Sequence, residues 1–137
     1  MTLQDGTVVS YEYLVVAPGL SLRWDLIPGA KEAVEDPNCP ASSIFTLSGA
    51  YKTSVLRENF KGGKAIFTLP VMPIKCAGAP QKIMYLSEET FRKNGVRQDS
   101  EVHFYTTAPN LFPNCNKFEN ALKPIAASKN IDVHLNH

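Results

Sequence analysis

The sequence predicts an α/β protein built on a parallel, doubly wound sheet, and three observations lead there. Short apolar runs recur at "KAIFTL" (Lys64–Leu69), "EVHFYTT" (Glu101–Thr107) and "IDVHLNH" (Ile131–His137). Amphipathic stretches with helix start and stop signals lie between them. The resulting order of strand, helix, strand, helix, strand is the βαβαβ mononucleotide-binding unit, whose crossovers are right-handed.

At the amino end, "TLQDGTVVSY" reads as a hairpin about Asp5-Gly6, with Val8 and Val9 opening a short strand. "YLVVAPG" (Tyr13–Gly19) is an unbroken apolar run stopped by Pro-Gly, the pattern of a strand buried on both faces. Beyond Pro18 come Pro28, Pro37 and Pro40, so this stretch reads as loop with one helical turn and as a domain junction. Tyr51, Val55 and Phe60 fall near helical spacing, and "KGG" stops that helix. Pro80 suits the first turn of the next helix, where its missing N–H costs nothing. That helix is expected to reach Lys93, with Asn94-Gly95 as its stop and Glu88–Arg92 and Glu89–Lys93 as i,i+4 pairs on a solvated face. The last helix, in "NKFENALKPIAASKN", puts Phe118, Ala121, Leu122 and Ile125 on one face, and Pro124 is expected to kink or shorten it.

The chain has 137 residues, 44% apolar and 20% charged, which suits one domain or pieces of two. A net charge of +1 carries no electrostatic footprint for nucleic acid or an anionic membrane surface. No apolar run approaches the roughly 20 residues that span a bilayer. "MTLQDGTVVSYEY" shows no signal-peptide pattern. Cys39, Cys76 and Cys115 are odd in number, widely spaced and without a C-x-x-C, which argues against a secreted disulfide framework and for a reducing compartment. Both ends look cut, and a piece of a longer protein is expected.

The chemistry points to "PIKCAGAPQKI". Cys76 follows the end of a predicted strand and precedes a helix N-terminus, on the ligand-facing side of a doubly wound sheet. Helix dipoles favour negative charge there, and Lys75 and Lys82 add positive potential, so a thiolate nucleophile is one reading. A small buried hydrophobe is the other. Gly78, between Ala77 and Ala79, permits close approach of a ligand to the backbone. The corner lacks the G-x-G-x-x-G that cradles a pyrophosphate, because Gly78 is its only glycine and Pro80 removes an N–H.

The segment "FTLPVMPIKCAGAPQKIMYLSEETFRKNG" resembles the redox-cysteine segment of the sulfide:quinone oxidoreductases, mitochondrial branch. Phe67, Pro70, Pro73 and the run from Ile74 to Glu88 match its pattern. "VSYEYLVVAPG" and "IPGAKEA" are similar to the segments that close the FAD domain in this superfamily of two-domain flavoproteins. The resemblance implies parts of two Rossmann-like, FAD/NAD(P)-binding-type domains: the end of the FAD domain over 1–30, a linker and helix over 31–60, and a degenerate second nucleotide-binding-like domain over 61–137.

It further implies FAD-dependent oxidation of hydrogen sulfide, with Cys76 carrying a persulfide, electrons passing to ubiquinone, and sulfur passing to a small acceptor such as glutathione or sulfite. Ala17, Pro18, Gly19 and Lys82 match positions near the flavin, and no metal is implied. Peripheral association with the mitochondrial inner membrane follows from the family. The N-terminal FAD fingerprint and the second redox cysteine have no counterpart here, so this polypeptide alone is not expected to turn over. The rival readings are a type II NADH dehydrogenase of the same superfamily, which wants a working glycine loop, and a non-catalytic fragment keeping the fold.

Other residues read more plainly. Cys39 and Cys115 suit structural roles. His134 and His137, spaced i,i+3, alternate to opposite faces of a strand, which is poor for joint metal ligation. His103 reads as a core or edge histidine and Trp24 as a hydrophobic anchor.

Overall fold

The computed structural model describes residues 1–112 and 115–137; the residues of "FPNCNKF" at 113 and 114 lie outside the described residues. Its ordered elements are a 3-10 turn at Trp24–Leu26, α1 (Ala30–Glu35), α2 (Leu47–Asn59), β1 (Gly63–Leu69), α3 (Ala79–Lys93), β2 (Ser100–Thr106), α4 (Asn116–Ser128) and β3 (Ile131–Leu135). The βαβαβ unit is therefore present. Its three strands run parallel in the order β1-β2-β3, with Leu69 opposite Thr106 and Thr106 opposite Leu135.

Alternation along β2 sends Val102, Phe104 and Thr106 into the core and Glu101, His103 and Tyr105 to the other face. Leu69, Met84, Phe91, Leu111, Ala126 and Ile131 complete the core. Strands added in one direction with like-handed crossovers put both connecting helices on the same face. Among the described residues no helix covers the opposite face, where Ile66 is 59% exposed.

Helix boundaries follow their caps. The Thr46 hydroxyl accepts the Gly49 N–H at 3.0 Å to start α2, whose exit passes Gly62 at φ +103, a left-handed conformation that suits glycine. At the end of α3, Asn94 caps and Gly95 turns at φ +74, as the sequence predicts.

Five expectations are corrected. The hairpin at Asp5-Gly6 forms, with Leu3 N–H donating to Thr7 O at 2.9 Å, but Val8 makes a single bridge to Thr2 and no strand. Tyr13–Gly19 is not a strand either: Tyr13 is 91% and Val15 90% exposed, because a buried parallel strand needs ladder partners and the β1-β2-β3 sheet takes none from this segment. α4 runs through Pro124 to Ser128. Its buried face is Glu119, Leu122 and Ala126, rotated by about 100° from the predicted stripe, so Phe118 and Ile125 are exposed. Small Ala126 allows close packing, and buried Glu119 accepts the Phe112 N–H from the loop after β2.

The fifth correction is Glu88. It is fully buried, since the helical period places it between Met84 and Phe91 on the core stripe. Arg92 bonds it as predicted, but so do Lys129 at 2.7 Å and Arg97 at 3.3 Å. Arg97 also donates to the carbonyls of Ser100 (2.8 Å), Lys129 (2.6 Å) and Asn130 (2.8 Å). One carboxylate and one guanidinium thus tie α3 to the start of β2 and to the α4–β3 turn. Burial pushes the Glu88 carboxyl upward, yet Lys129 and Arg92 outweigh it and hold it below its ordinary value. Glu89–Lys93, at 3.6 Å and exposed, is the solvated pair the spacing predicts.

Candidate functional site

β1 ends at buried Leu69, and the chain crosses Pro70–Lys75, with a cis peptide before Pro73, to reach Cys76. A turn from Cys76 to Ala79 is closed by Ala79 N–H donating to Cys76 O at 3.1 Å. α3 starts at once, with Pro80 in its first turn and Lys82 N–H donating to Gly78 O at 3.0 Å. Cys76 is a free, exposed thiol, so the buried-hydrophobe alternative does not describe it. Lys75 and Lys82 are exposed beside it in sequence. Gly78 has an ordinary right-handed conformation (φ −84), and a Cβ there would meet only the Phe112 ring, at 3.6 Å.

That ring comes from the loop after β2, at the neighbouring strand end. Leu111 is fully buried, and its carbonyl accepts the side-chain amide N–H of Gln81, from the first turn of α3. Phe112 N–H donates to Glu119 Oε2 at 2.8 Å, from the first turns of α4. Gln81 and Glu119 are 3% and 6% exposed, so both are buried polar groups committed to the same two loop residues. Burial raises the Glu119 carboxyl, but its Lys123 partner and the Phe112 and Leu111 N–H groups bring it below the ordinary range. Phe112 also packs edge-to-face on Phe118, centroids 5.2 Å apart. Gln81 Oε1 has no protein partner among the described residues.

The sequence signalled none of this clamp beyond the apolar spacing that puts Gln81 on the Met84–Phe91 stripe. Of the residues singled out for the cofactor, Lys82 shares the Cys76 corner. Ala17, Pro18 and Gly19 lie exposed in the unpaired amino segment; no hydrogen bond links them to Cys76 or Lys82 among the described residues.

A groove of about 440 Å³ lies elsewhere: Trp24, Val34, Tyr51, Lys52 and Val55 line it between α1 and α2. Trp24, read from the sequence as a hydrophobic anchor, is half-buried in the wall of this groove and takes no part in the core around Phe104. Lys52 Nζ donates to the carbonyls of Ala33, Val34 and Asp36 and so closes the C-terminus of α1. Cys39 and Cys115 are half-buried and free.

The histidines depart from expectation. His134 and His137 come edge-to-face with centroids 5.9 Å apart, because Asn136 at φ +59 breaks the strand alternation between them. His103 and His134 ring nitrogens are 3.2 Å apart, and Tyr105 stacks on His134 at 4.1 Å. Among the described residues, no group of three or more His, Cys, Asp or Glu is placed to hold a metal ion.

A parallel sheet in consecutive order, with a loop-borne thiol at a strand's carboxyl end, is a piece of a Rossmann-type domain. The X-ray structure of the sulfide:quinone oxidoreductase from Aquifex aeolicus has this fold: TM-score 0.77 at 22% identity, over 98% of this chain and 31% of that one. By sequence the chain belongs with the sulfide:quinone oxidoreductases. It is 44% identical over 109 residues to the mitochondrial sulfide:quinone oxidoreductase of Schizosaccharomyces pombe, covering 80% of this chain and 24% of that protein. It is 39% identical over 132 residues to the mouse mitochondrial protein, covering 96% of this chain and 29% of that one. The chain thus spans roughly a quarter of the length of the curated relatives it matches. No protein-family model matches it.

Proposed function

We propose that this chain supplies the thiol-bearing part of a mitochondrial, FAD-dependent sulfide:quinone oxidoreductase, with Cys76 as the sulfur-accepting residue. The observation that carries the reading is the run "PIKCAGAPQKIMYLSE" placed so that Cys76 is exposed between β1 and α3. Sulfide attacks the Cys76 sulfur of an oxidised cysteine pair. A new S–S bond forms on Cys76, and the bond to the second cysteine breaks and leaves that sulfur as a thiolate. Cys76 then holds a persulfide, whose outer sulfur passes to a small thiol or sulfite such as glutathione or inorganic sulfite. The second cysteine lies outside this sequence.

FAD, when bound, supplies the two-electron acceptor, with ubiquinone as the onward oxidant. Ala17, Pro18, Gly19 and Lys82 are the residues of this chain that would adjoin it. The unpartnered, buried Oε1 of Gln81 supports a polar ligand group at this corner. The exposed, unpaired Tyr13–Gly19 supports its belonging to a separate FAD-domain sheet, with the junction over 31–60. No helix among the described residues is long and apolar enough to cross a membrane, and peripheral association with the inner membrane is the corresponding proposal.

The test is stopped-flow flavin absorbance on a full-length protein carrying this chain. Sulfide should bleach the flavin when Cys76 is intact and fail to do so in Cys76→Ser. Equal bleaching in both would remove Cys76 from the chemistry.

A further inference from the structure

We propose that Phe112 is a positioning residue for the Cys76 turn: its ring forms one wall of the thiol's approach and favours small sulfur reagents over bulky ones. The ring edge lies 3.6 Å from where a Gly78 Cβ would stand, inside the four-residue turn that Cys76 opens and Ala79 closes. Two buried polar side chains from different helices fix it there. Gln81 holds the Leu111 carbonyl and Glu119 holds the Phe112 N–H. Burying a polar side chain costs free energy unless it is bonded, so both groups favour this single placement of the loop. Phe118 packs edge-to-face with the ring. Cys76 is exposed at the start of the same turn, so a small nucleophile reaches its sulfur while a bulky one meets Phe112.

The consequence for sulfide selectivity rests on Cys76 being the working thiol, whereas the wall itself is read from thiol chemistry alone. The experiment takes the 137-residue chain with Cys39→Ser and Cys115→Ser, leaving Cys76 as its one thiol. Rates of reaction with methyl methanethiosulfonate and with Ellman's reagent are compared as a ratio. Phe112→Ala should raise the bulky-to-small ratio about fivefold and Phe112→Trp should lower it, with the small-reagent rate changing less than about twofold. Phe112→Leu, which keeps an apolar side chain under Phe118, covers a failure of the alanine variant to fold. Gln81→Met should raise the ratio in the same direction. A ratio unmoved by every Phe112 variant, or both rates rising together, overturns the proposal. Failure of the redox reading would show instead as flavin bleaching that survives Cys76→Ser.

Discussion

Arg97 and Glu88 face each other inside the protein, Nε 3.3 Å from Oε1, with side chains 10% and 0% exposed. Few ion pairs in small domains are so enclosed, and their net worth depends on whether every remaining polar atom is also matched. Here Arg97 spends its other N–H groups on three carbonyls, and Glu88 takes Lys129 and Arg92 besides. Removing the carboxylate leaves Arg97 buried without its counter-charge. Glu88→Ala should cost roughly 3 kcal/mol, and Lys129→Met, at a more exposed position, clearly less. Urea unfolding followed by circular dichroism measures both. A loss at Glu88 no larger than that of an ordinary surface substitution would show that the cluster contributes nothing.

The same pair sets an acid limit. Glu88 and Glu119 both sit below the ordinary carboxylate value of 4.5 in the folded protein. A depressed folded value means that the unfolded chain binds protons first as pH falls. The stabilisation is therefore complete above pH 4.5 and is lost as pH drops through the lower folded values. Melting temperature should hold steady from about pH 7 to about pH 5 and then fall. Glu88→Gln should start lower and fall less steeply in the acid range. Parallel curves for the two proteins would contradict the linkage.

Phe104, on the central strand, is fully buried among Leu69, Met84 and Val102. Truncation there removes an aromatic ring and leaves a cavity that the three-stranded sheet has little room to collapse. Phe104→Ala should cost about 4 kcal/mol, enough to unfold much of the population, whereas Ile66→Ala on the open face should cost under about 1 kcal/mol. Chemical denaturation of the two variants side by side is the check, and similar losses would mean that the open face is not open in solution.

How much of this was legible in the sequence depended on range. β1, β2, β3 and the limits of α3 follow from local apolar periodicity, the Pro80 start and the Asn94-Gly95 stop, all carried by neighbouring residues. Cys76 was found the same way, as a thiol between a strand signal and a helix signal. Glu88 was misread because two of its three cations, Arg97 and Lys129, lie outside its helix. Its place between Met84 and Phe91 on the core stripe was the available clue. Gln81 and Glu119 escaped notice because the Leu111 and Phe112 groups they hold come from a loop whose fold no local pattern describes. α4 was turned by one position because periodicity ranked Phe118 and Ile125 above a glutamate that is buried against a loop N–H. Tyr13–Gly19 reads as a strand because its residues suit one, yet a strand is a statement about partners, and β1-β2-β3 offers it none.

That unpaired segment gives the last prediction. Every residue from 1 to 20 is exposed, and only the small hairpin at Asp5-Gly6 gives that stretch backbone order of its own. From Gly63 onward the backbone is held in a parallel ladder packed under two helices. Proteolysis of a native protein follows the free energy of local opening, which is small where few contacts must be broken. Brief chymotrypsin treatment should therefore cut first at Tyr11, Tyr13 or Leu14 and leave a product that starts beyond them and keeps β1 through β3. Mass spectrometry identifies the sites. If Tyr13 is instead as protected as Tyr105 on β2, the amino segment is paired in solution, either with this sheet or with a second copy of the chain. Its assignment to a separate FAD-domain sheet would then fail.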